Sequence, residues 1–515
     1  MDPNAPALPA ELREIQRHLP PGEAWLVGGA VRDLLLGRPL KDLDLAVPEG
    51  GLDFARRLAT ALGGAFVPLD AARGVARVVW ERDGGRREVD VADFRAAGLE
   101  SDLLARDVTI NAMALSIAEP VRVVDPGGGR EDLARGVVRL LGPEVLEDDP
   151  LRALRAVRLV AQLGFRLDEA SAGWIAARAG ALAGVAGERV RDELWKCLTA
   201  PEPRRTLRLL EELGLLAVVV PETVAARGAR QSAPHRHDVW EHTLTVVDRV
   251  ARVVEIVERT AAARAEEAPA SLDDGEPIPP DLAPALAPFA AALAERLARP
   301  LAADRLVRGH LLLGALFHDL GKPPTRSVGE DGRIHFYGHA EAGVRLAERR
   351  LLALRFSADE VAWVTRVVRH HMRPLQLKGA EPLSRRAIHR FHRAAGEVAP
   401  ELCLLSIGDN LAKGGVRTRA EWPLFLPRVL ELLDAYFHRH EELVAPPRLL
   451  DGDDVVALAR RPAGAWVGKA LRDLTEAQAV GRVADRATAE RFVRRWTRMH
   501  PPQPPEGASL PEGAR

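Results

Sequence analysis

Asp42 and Asp44 stand two residues apart in the apolar run DLDLAV. Alternate residues of a strand face the same way, so this spacing puts two carboxylates side by side. Asp90, in the strand-like REVDVADF, supplies a third. Hard oxygen ligands of this kind suit Mg²⁺, and a pair of such ions would activate a 3′ hydroxyl and stabilise departing pyrophosphate in an in-line displacement. Upstream, Gly28 and Gly29 follow a short apolar run, and Arg32 lies one turn further on. Glycines there let backbone N–H groups approach a triphosphate, and Arg32 adds a forked charge contact. An isolated Asp-x-Asp usually faces solvent on a half-buried strand; the Gly-Gly turn just upstream is what favours chemistry.

Asp149, Arg152, Arg155 and Arg158 recur every three residues in DDPLRALRAVRLVAQLGF, beside Leu151, Leu154, Val157 and Val160. The pattern predicts one helix with an apolar stripe that packs and a polar stripe that faces a cleft or solvent. Further along come His242, His318-Asp319, His339, His370-His371 and Asp409. Imidazoles and carboxylates on successive helices are a recurring recipe for divalent-metal sites, in which an Asp can bridge.

Positioning these groups requires strands under the carboxylates and helices under the imidazoles. AWLVGG and DLDLAV read as strands, RVVWERDGGRREVDVADF as a hairpin turning at Asp83-Gly84-Gly85, and the stretch from Asp53 to Leu62 as a helix. From about Glu147 helical patterns take over. The expected division is a head over 1–140, a neck over 141–205, a histidine-bearing helical domain over 206–445, a small helical segment over 446–500 and a disordered tail over 501–515. Residues 262–288, rich in Ala, Pro and acidic groups, read as a linker or inserted loop rather than core.

An apolar share of 47% with 28% charged residues describes a globular protein rather than a disordered or fibrous one. No apolar run is long enough for a membrane helix, and the N-terminal stretch lacks the features of a secretory signal, so the expected location is cytoplasmic with no membrane partner. Lys and Arg number 72 against 73 Asp and Glu, so any RNA contact must be local. Cys197 and Cys403 have no metal-site spacing and read as ordinary buried thiols.

The segment LVGGAVRDLLLGRPLKDLDLAV resembles the Gly-Gly-x-Val-Arg-Asp and Asp-x-Asp signature of the bacterial tRNA nucleotidyltransferase and poly(A) polymerase family. RDVTINAMAL resembles the family's next motif and implies that Arg106, Asp107 and Asn111 contact the incoming ribose and phosphates; the Asp107 carboxylate suits a 2′ hydroxyl. Ala105 departs from that motif, where many relatives carry a second Arg. Asp125 to Gly128, with Asp132-Leu133, resembles a further motif and implies a flexible turn between head and neck. The Asp149-to-Arg152 stretch is similar to the Glu-Asp-x-x-Arg motif, which implies that Asp149 and Arg152 read the base. Cytosine and adenine both present an amine beside a ring-nitrogen acceptor, so a carboxylate accepts from one while an Arg donates to the other. GERVRDELWKCL resembles a motif in which Glu188 and Arg189 are structural.

The order His, His-Asp, Asp resembles the HD phosphohydrolase superfamily and implies a divalent metal on His242, His318, Asp319 and Asp409. His339, His370 and His371 would hold a second metal or a phosphate, with Lys322 assisting. Together the resemblances imply an α+β polymerase-beta-like nucleotidyltransferase head, an all-α neck, an all-α HD domain and a small helical C-terminal segment. The implied activity is addition of CCA to tRNA from CTP and ATP with Mg²⁺, and in some relatives the HD domain hydrolyses phosphomonoesters or 2′,3′-cyclic phosphates. Alternatives are a CC-only or A-only enzyme, a poly(A) polymerase, or an HD phosphohydrolase whose head only senses nucleotide.

Overall fold

Seven short strands build the head because each apolar run is closed by residues that turn the chain. The computed structural model describes residues 8–18, 24–40, 42–117, 121–232, 236–263, 278–377 and 382–501. It divides into two compact units, Met1–Val224 and Ala225–Arg515. In the first, β1 (Trp25–Val27), β2 (Asp44–Val47), β3 (Ala65–Asp70), β4 (Val75–Arg82), β5 (Gly85–Asp93), β6 (Ala114–Ser116) and β7 (Val123–Val124) form one sheet in the order β3-β4-β5-β2-β1-β6-β7. All neighbours are antiparallel except β2 and β5. The β4–β5 hairpin turns at Asp83 and Gly84, both at positive φ, which matches the right-handed twist of its strands. The helix Gly51–Leu62 buries Phe54, Ala55, Leu58 and Ala59, a spacing that puts all four on one face.

Parallel pairing of β2 with β5 sets Asp44 beside Asp90 in register. The strand begins only at Asp44; Asp42 precedes it, exposed, although the pairing reaches back through the Asp90 amide, which donates to the Leu43 carbonyl (2.8 Å).

The neck corrects the single-helix reading of residues 148–165. A short helix, Val145–Asp148, stops at Asp149, whose extended backbone (φ −151°, ψ 102°) precedes the main helix Arg152–Leu163. Pro150 explains the break, since the residue before a proline is driven out of helical conformation. Asp149 therefore belongs to the entrance of the helix, where its carboxylate accepts from the Leu151 amide (3.2 Å), and not to its polar stripe. The Asp125-to-Gly128 turn is also tied down. Asp125 accepts from the amides of Gly129 (2.7 Å) and Arg130 (2.9 Å), and buried Asp132 accepts from the Thr109 hydroxyl (2.6 Å). The helix Pro203–Glu212 spans the expected neck boundary at 205 and packs with the helices Arg152–Leu163 and Gly187–Leu198 in the first unit.

In the second unit, the helices Val239–Ala261, Val307–Phe317, His339–Ala353, Ala358–His370 and Ala399–Lys413 form the core. Of the expected linker, 264–277 lies outside the described residues, but its last part is core. Leu282 and Leu286, four apart on the helix Leu282–Leu286, are fully buried, and Asp281 accepts from the Trp422 indole N–H (3.1 Å). The Pro and Ala around them mask this one-turn apolar face. Three last helices, Gly452–Ala459, Ala465–Ala479 and Arg486–Met499, close a small core of their own around Val455, Leu474, Val493 and Trp496. Residues 502–515, the bulk of the expected tail, lie outside the described part. Both cysteines are buried, and burial pushes their thiols up, away from reactivity.

Gly321, just after His318-Asp319, sits where a Cβ would collide with the His339 carbonyl and the Gly343 amide. Gly321→Ala should destabilise the second unit by about 1–3 kcal/mol, the usual cost of overpacking. A lowered urea midpoint is the expected result, and an unchanged one would show that the two segments can separate freely.

Candidate active site and metal centre

In the first unit a cavity of about 330 Å³ is lined by Gly28, Asp44 and several arginines. Gly28 has φ 75° and ψ −141°, and a Cβ there would stand 3.3 Å from Arg106 and 3.7 Å from Asp44. Only glycine suits that backbone, so the chain passes the carboxylate without covering it. Burial pushes the Asp44 carboxyl up, and the neighbouring charges of Asp90 and Asp42 push it the same way. Asp90 is gripped by Arg77 through both oxygens (2.7 and 3.0 Å), which leaves further lone pairs on each for a cation. Asp42, Asp44 and Asp90 thus act on one another electrostatically, the condition under which a divalent cation is welcome.

In the same lining, Arg106 pairs with Asp102 (3.0 Å), and Arg95 is pushed down by burial and by Arg106. Clustered, desolvated guanidiniums of this kind call for an anion. Arg32 folds back onto Asp33 (2.9 Å) and donates to Asn111 Oδ1 (2.7 Å), so it orients Asn111 and stands behind the cavity wall. Burial alone would raise Asp107, but Arg155 (2.8 Å) and the Val108 amide (3.0 Å) hold it below the ordinary carboxylate range.

Asp149, Arg152 and Arg155 also line this cavity. Arg152 reaches the Ala105 carbonyl (3.3 Å), and Asp149 accepts from Arg189 (2.7 Å). Arg158 does not belong here. Its guanidinium pairs with buried Glu193 (2.7 Å) and joins two neck helices. The residues that sequence reasoning misplaced or passed over are Arg189 and Arg95, both cavity-lining. Arg189 lies forty positions from Asp149, and Arg95 follows β5 in a run without periodicity, so neither carried a local signal.

In the second unit, His242, His318 and Asp409 place ligand atoms within 4.8 Å of one another, as do Asp319, His339 and His371. Asp319 lies between the groups: Oδ2 faces His318 (3.2 Å) and His242 (3.7 Å), while Oδ1 faces His371 (3.6 Å) and His339 (3.7 Å). His318, His339 and His371 each turn Nδ1 to a backbone carbonyl, at 2.6, 2.8 and 2.7 Å. That contact fixes Nε2 as the ring atom available to a cation. The Nε2 atoms of these imidazoles and the Asp319 oxygens converge on one another while their Nδ1 atoms are already engaged, so the donor set fits divalent metal. Burial would raise Asp319 and Asp409, but the surrounding imidazoles with Lys322 and Lys413 hold both well below the ordinary range. His370 departs from expectation. Successive helical residues point about 100° apart, so His371 faces the cluster while His370 turns to Arg373 (3.1 Å), and burial with its arginine neighbours pushes it down to about 4.

Comparison with known proteins gives three family matches: "Poly A polymerase head domain" over residues 24–139, "Probable RNA and SrmB-binding site of polymerase A" over 164–227, and "HD domain" over 287–414. The chain is 36% identical to the A-adding tRNA nucleotidyltransferase of Deinococcus radiodurans, over 94% of this chain and 97% of that protein. It is equally 36% identical to the CC-adding tRNA nucleotidyltransferase of Thermus thermophilus, over 92% and 94%. The fold is shared with the Bacillus stearothermophilus CCA-adding enzyme crystallised with CTP (TM-score 0.59, 22% identity, 95% of this chain and 96% of that one). Among the described residues no helix is long and apolar enough to cross a membrane.

Because the folded state raises the Asp44 pKa, that state holds the proton more tightly than the unfolded chain does. Stability therefore falls as pH rises from the unfolded value, about 3.9, through the raised folded value, and stays lower above it. Asp44→Asn should be more stable than the parent at pH 7.5 in chelator, with the gain shrinking toward pH 4. Catalysis should fall by more than about 100-fold, a loss that even outer partners of a metal site can cause. A destabilised variant at pH 7.5 would contradict the crowding of charge.

Proposed function

The chain belongs to the tRNA nucleotidyltransferase and poly(A) polymerase family, and from that premise we propose that it adds C, C and A to the 3′ end of tRNA from CTP and ATP, without a template. The observation that carries this is that Asp44, Asp149 and Arg152 line a single cavity together, with Asp90 beside Asp44 in the sheet. Magnesium held by Asp42 and Asp44, with Asp90 alongside, would supply Lewis acidity to the attacking hydroxyl and to the departing pyrophosphate. The chain's own groups do the rest. Arg106 and Arg95 take the triphosphate charge beside the Gly28 backbone, with Arg32 steadying Asn111, whose amide donors remain for the nucleotide. Asp107, kept ionised by Arg155, accepts from the ribose 2′ hydroxyl. Asp149 accepts from the exocyclic amine of C or A while Arg152 donates to the adjacent ring nitrogen; guanine and uracil present the reverse pattern and are refused.

A second reading within the same chemistry is a partial adder, of CC or of A alone. It is favoured by the names of the two relatives that match nearly the whole chain, one A-adding and one CC-adding. In the HD centre, His242, His318, Asp319 and Asp409 would hold a divalent metal, with His339 and His371 near it, and the metal would supply Lewis acidity for hydrolysis of phosphomonoesters or 2′,3′-cyclic phosphates. Acting on tRNA, the protein works in the cytoplasm.

The test is incubation of the full chain with tRNA ending before CCA and, separately, with tRNA ending in CC, using each labelled nucleotide in turn. CTP and ATP should enter and GTP and UTP should not. Arg152→Ala should lower discrimination against UTP by about 10- to 100-fold, the worth of one hydrogen bond to a charged group. Incorporation of CTP alone, or of ATP alone on tRNA ending in CC, selects the partial adder; entry of neither nucleotide overturns the assignment.

A further inference from the structure

The cavity at the HD centre, about 330 Å³, is large enough for a small organic ligand and has an aromatic mouth as well as a charged floor. Asp319, His339, His371 and Asp409 line the floor, with Lys322 and Lys413 beside them. The mouth is a short hairpin, Ser327–Val328 with Ile334–His335, followed by Phe336 and Tyr337. Tyr337 is 76% exposed, and its ring lies flat on the His335 imidazole, with centroids 5.2 Å apart and planes 9° from parallel.

We propose that this Tyr337–His335 stack is a platform for a nucleobase, so that the HD centre takes phosphoesters carried on a nucleoside in preference to simple phosphomonoesters. The inference rests on the reading of that centre as a phosphoester site and names the side chain that sets its preference.

Three features support it. An aromatic ring offered to solvent and held parallel to, and offset from, a second ring presents a flat, pre-ordered surface, and every base has a π face to lay on it. The platform is fixed relative to the floor. The Ile334 amide donates to the Ser232 hydroxyl (2.7 Å), and Lys322 donates to Gln231 Oε1 (2.6 Å) while its ammonium sits 5.6 Å from the Phe336 ring centre. Tyr337 is also only two residues from His339, across Gly338 at φ 76°, so the ring at the mouth and an imidazole of the floor are carried by one turn of chain. A nucleoside phosphate has the matching order of parts: a base to stack, a ribose to span, and a phosphate to meet Lys322, Lys413 and the metal-binding groups.

The test is calorimetric binding to the full chain in Mn²⁺, with Asp149→Ala and Arg152→Ala present to silence base reading in the head. The probes are the 3′-methylenephosphonate analogue of adenosine 3′-phosphate, whose C–P bond resists hydrolysis, and base-free methylphosphonate. The nucleoside probe should bind at least about tenfold tighter than methylphosphonate, consistent with one base stacked on an aromatic ring. Tyr337→Ala should remove that advantage, Tyr337→Phe should keep it, and methylphosphonate should bind all three proteins alike. Equal affinity of the two probes for the parent, or an undiminished advantage in Tyr337→Ala, overturns the proposal. If the advantage depends on Tyr337 while neither adenosine 3′-phosphate nor p-nitrophenyl phosphate is cleaved, the platform stands and the hydrolytic reading of the centre falls.

Discussion

Crowded like charge is the constraint on which the head depends. β2 and β5 run parallel and in register, so Asp44 and Asp90 are forced side by side, and Asp42 adds its charge from just outside the strand. Arg106 and Arg95 repel one another inside the same cavity. Arg106 and Arg95 offset part of the repulsion on Asp44, yet burial and the other carboxylates still keep its carboxyl raised. Arg77 holds Asp90 in place, and Gly28 keeps side-chain bulk out of the gap. A nucleoside triphosphate with its cations relieves both kinds of repulsion at once. Electrostatic preorganisation of this sort is paid for in folding stability and returned as transition-state stabilisation.

The neck extends this arrangement. Arg155 reaches from its helix to buried Asp107 in the head, and Arg158 ties that helix to Glu193. Breaking a buried pair such as Arg158 with Glu193 typically costs about 3–5 kcal/mol because one charge is left stranded, and the more exposed Arg155 adds a second, solvent-screened tie on the helix whose first residue is Arg152. The bend at Asp149-Pro150 then turns a carboxylate into the cavity that a straight helix would have carried away along its stripe. On the proposed reading, the side chains for base choice and for phosphate transfer thus line one cavity within the first unit.

Much of this was legible in the residues themselves. The Gly-Gly turn, the hairpin at Asp83-Gly84 and the strands that carry Asp44 and Asp90 depend on local patterns, and local patterns are what a chain displays openly, whereas Asp42 falls just outside its strand and the pairing of Asp44 with Asp90 is long-range. What stayed hidden depends on partners distant in sequence or on the phase of a helix. Arg189 and Arg95 enter the cavity through tertiary packing alone. His370 and His371 are indistinguishable by type, and only the helix phase decides that His371 faces Asp319. Arg158 shares the period of the base-reading residues, yet Glu193 claims it. The helical break at Pro150 does carry a local signal, but the three-residue periodicity of the flanking polar residues competes with it.

The central claim, that fixed side chains in place of a template choose the base, is tested most directly by exchanging their chemistry. In the double variant Asp149→Arg, Arg152→Asp, the donor and acceptor change places, and nucleotide entry into tRNA ending before CCA should shift from CTP and ATP toward UTP and GTP. A variant that folds and transfers but still prefers CTP and ATP would contradict the account.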